Sequence, residues 1–251
     1  MNHLKIIKVD ENNATKEGLF CVKNPKYEGF QLKLNWLKER WKEGLKLKIL
    51  KNSNDKIGFI EYIPGEYAWR PVQAKGYLFI HCLMVYAKKN YHFGYGSKLI
   101  QECLDDAKKM NKAGVAVMAS KGTWMADKSV FLKNRFELIA SKDRFDLLVY
   151  KLKKSPNPSL LNWEENLSKY KGLNLIYANQ CPLFIKSVDE MKQTAIAYGL
   201  DLKVTIIDSA KEAQQTPSGC GTYNLVYNGK LLSDHYISNT RFKNILNKEI
   251  C

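Results

Sequence analysis

The chain has 251 residues, of which 45% are hydrophobic and 12% aromatic. This excludes a disordered tail and leaves room for one large domain or two modest ones, each with a buried core. The formal net charge is +15; residues 1–169 hold 31 Lys and Arg against 18 Asp and Glu, and residues 170–251 hold 9 against 7, so the first part attracts something acidic.

Strand-like runs come at LKIIKV (4–9), LKLKIL (45–50), KIGFIEYI (56–63), YLFIHCLMVY (77–86), VAVMAS (115–120) and FDLLVYKL (145–152). Between them the apolar spacing predicts helices over 30–43 and 98–110, the latter on Leu99, Ile100, Cys103, Leu104, Ala107 and Met110, with Gly114 as its stop. A third helical piece is ADKSVFLKN (126–134). Strands and helices alternate up to residue 152. The stretch 153–170, KKSPNPSLLNWEENLSKY, then reads as a linker whose second half suits a short helix.

From Leu173 a new pattern starts: strand 173–178, helix 188–198, strand 202–207, strand 223–227, an Asn228-Gly229 hairpin turn, strand 230–233 and helix 240–249. Ser187 with Glu190 reads as a capping box for the first of these helices. The predicted organisation is a domain over 1–152, a linker over 153–170 and a second α/β domain over 171–251.

The lysines are scattered, as in LKERWKEGLK, and build no uninterrupted basic arm; nucleic acid is therefore not the expected partner, and a Lys-rich surface that only confers solubility fits equally. The N-terminal MNHLKIIKVDENN is broken by charges and reads as no signal peptide, and no run of 18 apolar residues suggests a membrane span. The six cysteines, at 21, 82, 103, 181, 220 and 251, are dispersed. They are expected as reduced thiols in a cytoplasm, with no metal site.

The chemistry-bearing stretch is NYHFGYGSKL, where Gly94 and Gly96 stand between a strand and a helix. A glycine lets an anion approach backbone N–H groups closely, and the free amides of a helix start point at it. Neither the P-loop nor the dinucleotide pattern fits, since no Lys-Ser/Thr and no third glycine follow.

Strand, glycine loop, helix, strand, the helix SVFLKNRFELI and the hairpin FELIASKDRFDLLVYKL, in that order, resemble the GNAT superfamily of N-acetyltransferases. The resemblance covers residues 1–152. It implies the mixed α/β acyl-coenzyme A N-acyltransferase fold, with acetyl-coenzyme A as co-substrate against the strand edge at Leu83, Met84 and Val85. The pyrophosphate is then expected on the amides of Tyr91, His92, Phe93, Gly94, Tyr95 and Gly96, with Ser97, and with Lys88, Lys89 and Lys98 to neutralise phosphate. The family's later motif, Asn-(six residues)-Tyr-x-x-x-Gly-Phe, matches here as Trp124, Phe131, Arg135 and Phe136. Trp124 and Phe131 are thus cofactor-lining candidates. Phe131 stands where a Tyr often protonates the departing thiolate, and it has no proton to give. Tyr91 stands where Arg or Gln is usual.

For a base, His81 comes first: on a regular strand it shares a face with Leu83 and Val85, and its near-neutral pKa suits removing a proton from an ammonium. A core histidine satisfied by a carbonyl is the competing reading. Glu61 and Tyr95 are weaker candidates.

In the second domain YANQCPLF and CGTYNLVYNGKLL resemble a thioredoxin-like fold, with Phe184 in place of the second cysteine of C-x-x-C and Gly221 in place of the cis-proline. That resemblance implies that Cys181 and Cys220 lie near one another as a thiol pair. An acetyltransferase followed by such a domain resembles the YoaP-like family. Three readings follow: an N-acetyltransferase acting on a small-molecule or peptide amine, a non-catalytic acetyl-coenzyme A sensor or scaffold, and a thiol-dependent module centred on Cys181. The sequence does not set the oligomeric state, and a dimer is compatible with it.

Overall fold

In the computed structural model, which describes residues 4–22, 24–53, 55–122 and 124–250, the strands form three sheets, of seven, four and two strands, and the chain divides into two units. The first unit comprises residues up to Phe20, Leu37–Ala68 and Val72–Leu160; the second comprises Cys21–Trp36, Trp69–Pro71 and the chain from Leu161 onward. Of the six cysteines, Cys251 lies outside the described residues. Among the described residues no helix is long and apolar enough to cross a membrane.

The elements run β1 (Leu4–Val9), α1 (Ala14–Glu17), α2 (Glu28–Lys42), β2 (Lys46–Asn52), β3 (Asp55–Pro64), β4 (Val72–Gln73), β5 (Leu78–Val85), α3 (Tyr95–Lys109), β6 (Gly114–Ser120), α4 (Lys128–Lys133), β7 (Glu137–Lys142), β8 (Phe145–Lys151) and β9 (Ser159–Leu160). Helix α2 contributes residues to both units. Seven strands form one sheet in the order β1-β2-β3-β5-β6-β8-β7. Every neighbouring pair is antiparallel except β5 and β6, which are parallel and joined through α3. A parallel pair needs such a crossover, and a helix supplies it.

The core of this unit explains why α3 sits where it does. Its buried stripe of Leu99, Ile100, Cys103, Leu104 and Ala107 packs on Ile60, Tyr62, Leu78, Ile80, Val115 and Val117 of the sheet. These are the 3- and 4-residue spacings that the sequence displays. Strand β6 is buried along its whole length, as a central strand covered on both faces must be. The strand order, the lone parallel pair and the helix between its strands make this the mixed α/β acyl-coenzyme A N-acyltransferase fold.

A polar network pins α3 to the sheet from the side. Asp106 accepts hydrogen bonds from Tyr62 Oη (2.6 Å) and Lys46 Nζ (2.9 Å), and Lys48 Nζ lies at 3.1 Å. Lys48 also donates to Glu102 at 2.9 Å. Burial alone would raise the pKa of Asp106, but these donors outweigh it and hold the carboxyl at about 2. Lys48 is likewise pulled down by burial and pushed up further by Glu102 and Asp106, ending above its ordinary value.

The second unit holds β10 (Leu173–Tyr177), α5 (Phe184–Ala197), β11 (Leu202–Ile206), α6 (Ala210–Gln214), β12 (Tyr223–Tyr227), β13 (Lys230–Ser233) and α7 (Asn239–Glu249), with strand order β11-β10-β12-β13. β10 and β11 are parallel; the other two pairs are antiparallel. The hairpin turns at Asn228 and Gly229, both at positive φ (46° and 78°), as an Asn-Gly turn requires.

The capping box expected at Ser187 is not there. Helix α5 begins at Phe184, whose ring stacks edge-on against Tyr223 at 5.0 Å. Ser187 is thus inside the helix, fully buried, and donates to the Ile237 carbonyl at 2.8 Å. The capping box lies at Ser209 and Glu212, at the start of α6, a helix the sequence pattern did not reveal.

Candidate functional site

Strand β5 carries the first feature of the site, an irregularity at His81. Tyr62 of β3 faces Ile80 and Glu61 faces Cys82, so His81 is an extra residue in the ladder, a β-bulge. A bulge shifts the alternation of side chains. Leu78 and Ile80 before it, and Leu83 and Val85 after it, all pack against the core under α3. His81 therefore does not share a face with Leu83 and Val85, as a regular strand would have required; it lies on the other side of the sheet. There its ring meets Phe79 edge-on at 5.9 Å, and its Nδ1 is 3.6 Å from Glu61 Oε1. Both side chains are buried, His81 with no exposed surface and Glu61 with 2%. The two candidate proton-handling residues are thus brought together, on a face that also carries the Phe59–Phe20 ring pair at 4.8 Å.

The second feature is the opening between the parallel strands. β5 pairs with β6 only over Leu78–Ile80 against Val115–Val117. Beyond this the ladder ends, although β5 runs on to Val85 and β6 to Ser120. The edge of β5 beyond the ladder includes Leu83–Val85, and Met84 is 42% exposed. A strand edge that has left its neighbour can pair with an extended ligand through its backbone.

The third feature is the start of α3. Gly94 is its N-cap, in the left-handed region (φ 75°), with no side-chain cap. By helix geometry the first-turn N–H groups have no intrahelical acceptor, and the first turn carries no acidic residue. Gly96 is informative for a different reason. A Cβ added there would meet only Val130 Cγ2, at an ordinary 3.5 Å, and no positive φ is involved. The fold does not demand glycine at 96; an anion seated on the amides would. The residues present therefore fit a pyrophosphate.

Ser97 is held by a residue that sequence reasoning missed. Asn134, just past α4, donates through Nδ2 to Ser97 Oγ (3.0 Å) and to the Val130 carbonyl (2.7 Å). With its oxygen accepting from Asn134, the Ser97 hydroxyl keeps its proton to donate. Lys89 and Lys98 are exposed beside this loop; the side chain of Lys88 lies outside what is described. Tyr91, His92 and Phe93 are exposed, Phe93 at 69%.

The later motif divides. Trp124 is 46% exposed. Phe131 has no exposed surface: it lies in the core against Phe136, rings 5.6 Å apart, and seats α4 rather than presenting a surface to a ligand. Arg135 has φ 64°, the left-handed conformation for which a glycine is best suited. The N-terminus of α4 is capped by Asp127, which accepts from the Ser129 N–H at 2.8 Å.

In the second unit, Cys181 is half-buried in the turn before α5, where its carbonyl accepts from the Phe184 N–H at 3.3 Å. Cys220 is buried in the loop before β12, with its Sγ 3.8 Å from Thr222 Oγ1. Both are thiols, and neither sulfur is part of a disulfide. Arg70, a buried residue at 6% exposure, donates through its guanidinium to the Trp69 carbonyl (2.7 Å) and to Gln180 Oε1 (3.2 Å), next to Cys181 in sequence.

Known proteins resemble the chain at two levels. The YoaP-like family matches residues 201–244, within the second unit. A protein of Bacillus subtilis (strain 168) called "Uncharacterized N-acetyltransferase YoaP" is 26% identical over 249 residues, covering 96% of this chain and 98% of that one. Similar solved structures include a GNAT-family acetyltransferase from Staphylococcus aureus Mu50 (16% identity, TM-score 0.45, 60% of this chain and 99% of that one). Another is the PaiA N-acetyltransferase of Thermoplasma acidophilum in complex with coenzyme A (14%, 0.42, 59% and 98%). A fold with an opened parallel strand pair, a glycine loop and a bulged histidine strand is thus joined to a segment of YoaP-like type, in a chain similar to YoaP along nearly its whole length.

Proposed function

We propose that the protein is an N-acetyltransferase that moves an acetyl group from acetyl-coenzyme A to a primary amine. The observation that carries this reading is the meeting of the opened β5–β6 pair with the uncapped start of α3. One holds an extended chain by its backbone and the other seats a diphosphate, which is the sequence of groups in coenzyme A. The similarity to YoaP, whose name assigns it that activity, supports it.

In this reading the amides of Tyr91–Gly96 and the Ser97 hydroxyl bind the pyrophosphate, and Lys89 and Lys98 lower the cost of gathering its charge. Leu83, Met84 and Val85 hold the pantetheine arm along the free strand edge, and an N–H there is placed to stabilise negative charge on the carbonyl oxygen. Bound acetyl-coenzyme A supplies a thioester carbonyl open to attack by an amine. His81, whose ring is fully buried beside Glu61 and so works only once the acceptor is admitted to that face, takes the proton of the acceptor ammonium, and Glu61 beside its Nδ1 stabilises the imidazolium that results. Phe131 donates no proton, so the departing thiolate is protonated by water. The second unit is read as thioredoxin-like from its strand order and from the motifs YANQCPLF and CGTYNLVYNGKLL. The acceptor is a small-molecule or peptide amine.

The buried position of Phe131 favours one alternative, a protein that holds acetyl-coenzyme A without turning it over. Thiol release measured across a panel of amines separates the two. Release with at least one amine is expected, and His81→Gln should lower kcat by about 100-fold or more while shifting cofactor affinity little. Tight cofactor binding with no release for any amine would sink the enzyme reading. An unchanged kcat in His81→Gln would remove His81 as the base.

A further inference from the structure

The loop ahead of α3 exposes more aromatic surface than a phosphate seat needs. Phe93 is 69% exposed and Tyr91 48%. The ring of Phe93 is held in place: it stacks on Tyr95, with centroids 5.9 Å apart and planes 23° apart. The backbone fixes it as well, because His92 and Gly94 on either side are both in the left-handed region (φ 67° and 75°), and Tyr95 is the first residue of α3. A rigid ring whose inner face is backed and whose outer face is in water is a surface on which another flat ring can lie. Every purine offers such a face. The same segment carries the first-turn amides and two exposed cations, Lys89 and Lys98. Aromatic face, amides and lysines together match the parts of a nucleotide that carries phosphates.

We propose that Phe93, backed by Tyr95, is the platform on which the purine ring of coenzyme A stacks. The inference rests on the N-acetyltransferase reading and assigns a side-chain role to a loop otherwise used only through its backbone. The adenosine half of the cofactor is anchored by this stack, and the acetyl-bearing half by the strand edge.

The test compares two ligands in the full chain. Acetyl-coenzyme A has the purine; S-acetyl-4′-phosphopantetheine keeps the thioester, the arm and one phosphate but lacks it. Phe93→Ala should weaken acetyl-coenzyme A roughly 5- to 150-fold and the truncated thioester less than about twofold, and Phe93→Trp should restore the purine-dependent gain. Equal losses for both ligands, or no loss for either, overturn the platform while leaving the enzyme reading standing. Wild-type protein that binds neither thioester overturns both. Phe93 is exposed, so the substitution removes no buried contact, and unchanged thermal unfolding of the variant verifies that the fold is intact.

Discussion

Replacing Asp106 by asparagine tests whether α3, which carries the glycine loop, is held electrostatically. The carboxyl sits at about 2 instead of 3.8 because Tyr62, Lys46 and Lys48 stabilise the charged form against burial. A carboxylate whose folded-state pKa is depressed stabilises the fold above its unfolded value and loses that contribution as pH falls through the folded one. The difference between the two pKa values amounts to about 2 kcal/mol at pH 7, falling to about 1 kcal/mol at pH 3. In Asp106→Asn the new amide resembles the protonated acid in shape and still accepts from Tyr62, so the substitution removes mainly this charge term. Comparing both proteins at each pH cancels the general repulsion of a chain with net charge +15. Because two units need not unfold together, the readout is hydrogen exchange of α3 peptides in rising urea, which reports the local free energy of opening. The stability gap should close by about half between pH 7 and pH 3. A gap that is the same at both values would mean that the amide disturbs packing and that the charge carries no net stabilisation.

Two further substitutions separate fold from ligand. Gly96→Ala should raise thermal stability slightly, by about 0.5 kcal/mol, because alanine suits a helix better and meets only ordinary contacts, yet weaken acetyl-coenzyme A binding by roughly 10-fold; undiminished affinity by calorimetry would show that these amides are not the anion seat. Arg135→Gly should stabilise by about 0.5 kcal/mol, since relief of the left-handed strain slightly exceeds the entropy glycine gives to the unfolded chain. A loss above about 1 kcal/mol in urea unfolding would instead show that the Arg135 side chain makes a stabilising contact.

Much of this was legible from residues alone, and the misses have physical causes. LKLKI at 45–49 alternates and runs into β2; the spacing of Leu99, Cys103 and Ala107 gives the buried stripe of α3. Such patterns are local, and burial on one face enforces them. Ser187 and Ser209 both head a Ser-x-x-Glu pattern, but only Ser209 caps a helix, because Phe184 packs on Tyr223 and starts α5 a turn early. Nothing within four residues could tell the two apart. Residues 21–36 and 69–71 join the second unit although they precede the end of the first in sequence. Periodicity says that 30–43 is helical and nothing about which core it feeds. Asn134 escaped notice because its partner, Ser97, is 37 residues away.

The bulge at His81 is the miss with the largest consequence, because it leaves no mark on composition. In a regular strand, the parity that places Leu78 and Ile80 under α3 would also place Cys82 and Met84 there, and would turn Leu83 and Val85 outward. The extra residue reverses this. Leu83 and Val85 return to the core and anchor the far end of β5, while His81 stays beside Phe79 and Glu61 on the opposite face. The same irregularity falls one residue beyond the last pairing with β6, so β5 leaves its parallel neighbour where its own alternation breaks. A bulge bends its strand and increases its local twist, which accounts for both effects at once. In the proposed enzyme, one inserted residue thus frees the edge that takes the cofactor and returns Leu83 and Val85 to the core under the helix that holds the phosphates, while the candidate base keeps its place on the opposite face. Deleting His81 would restore regular alternation and should abolish activity more completely than any substitution of His81, because it would close the edge as well as remove the base.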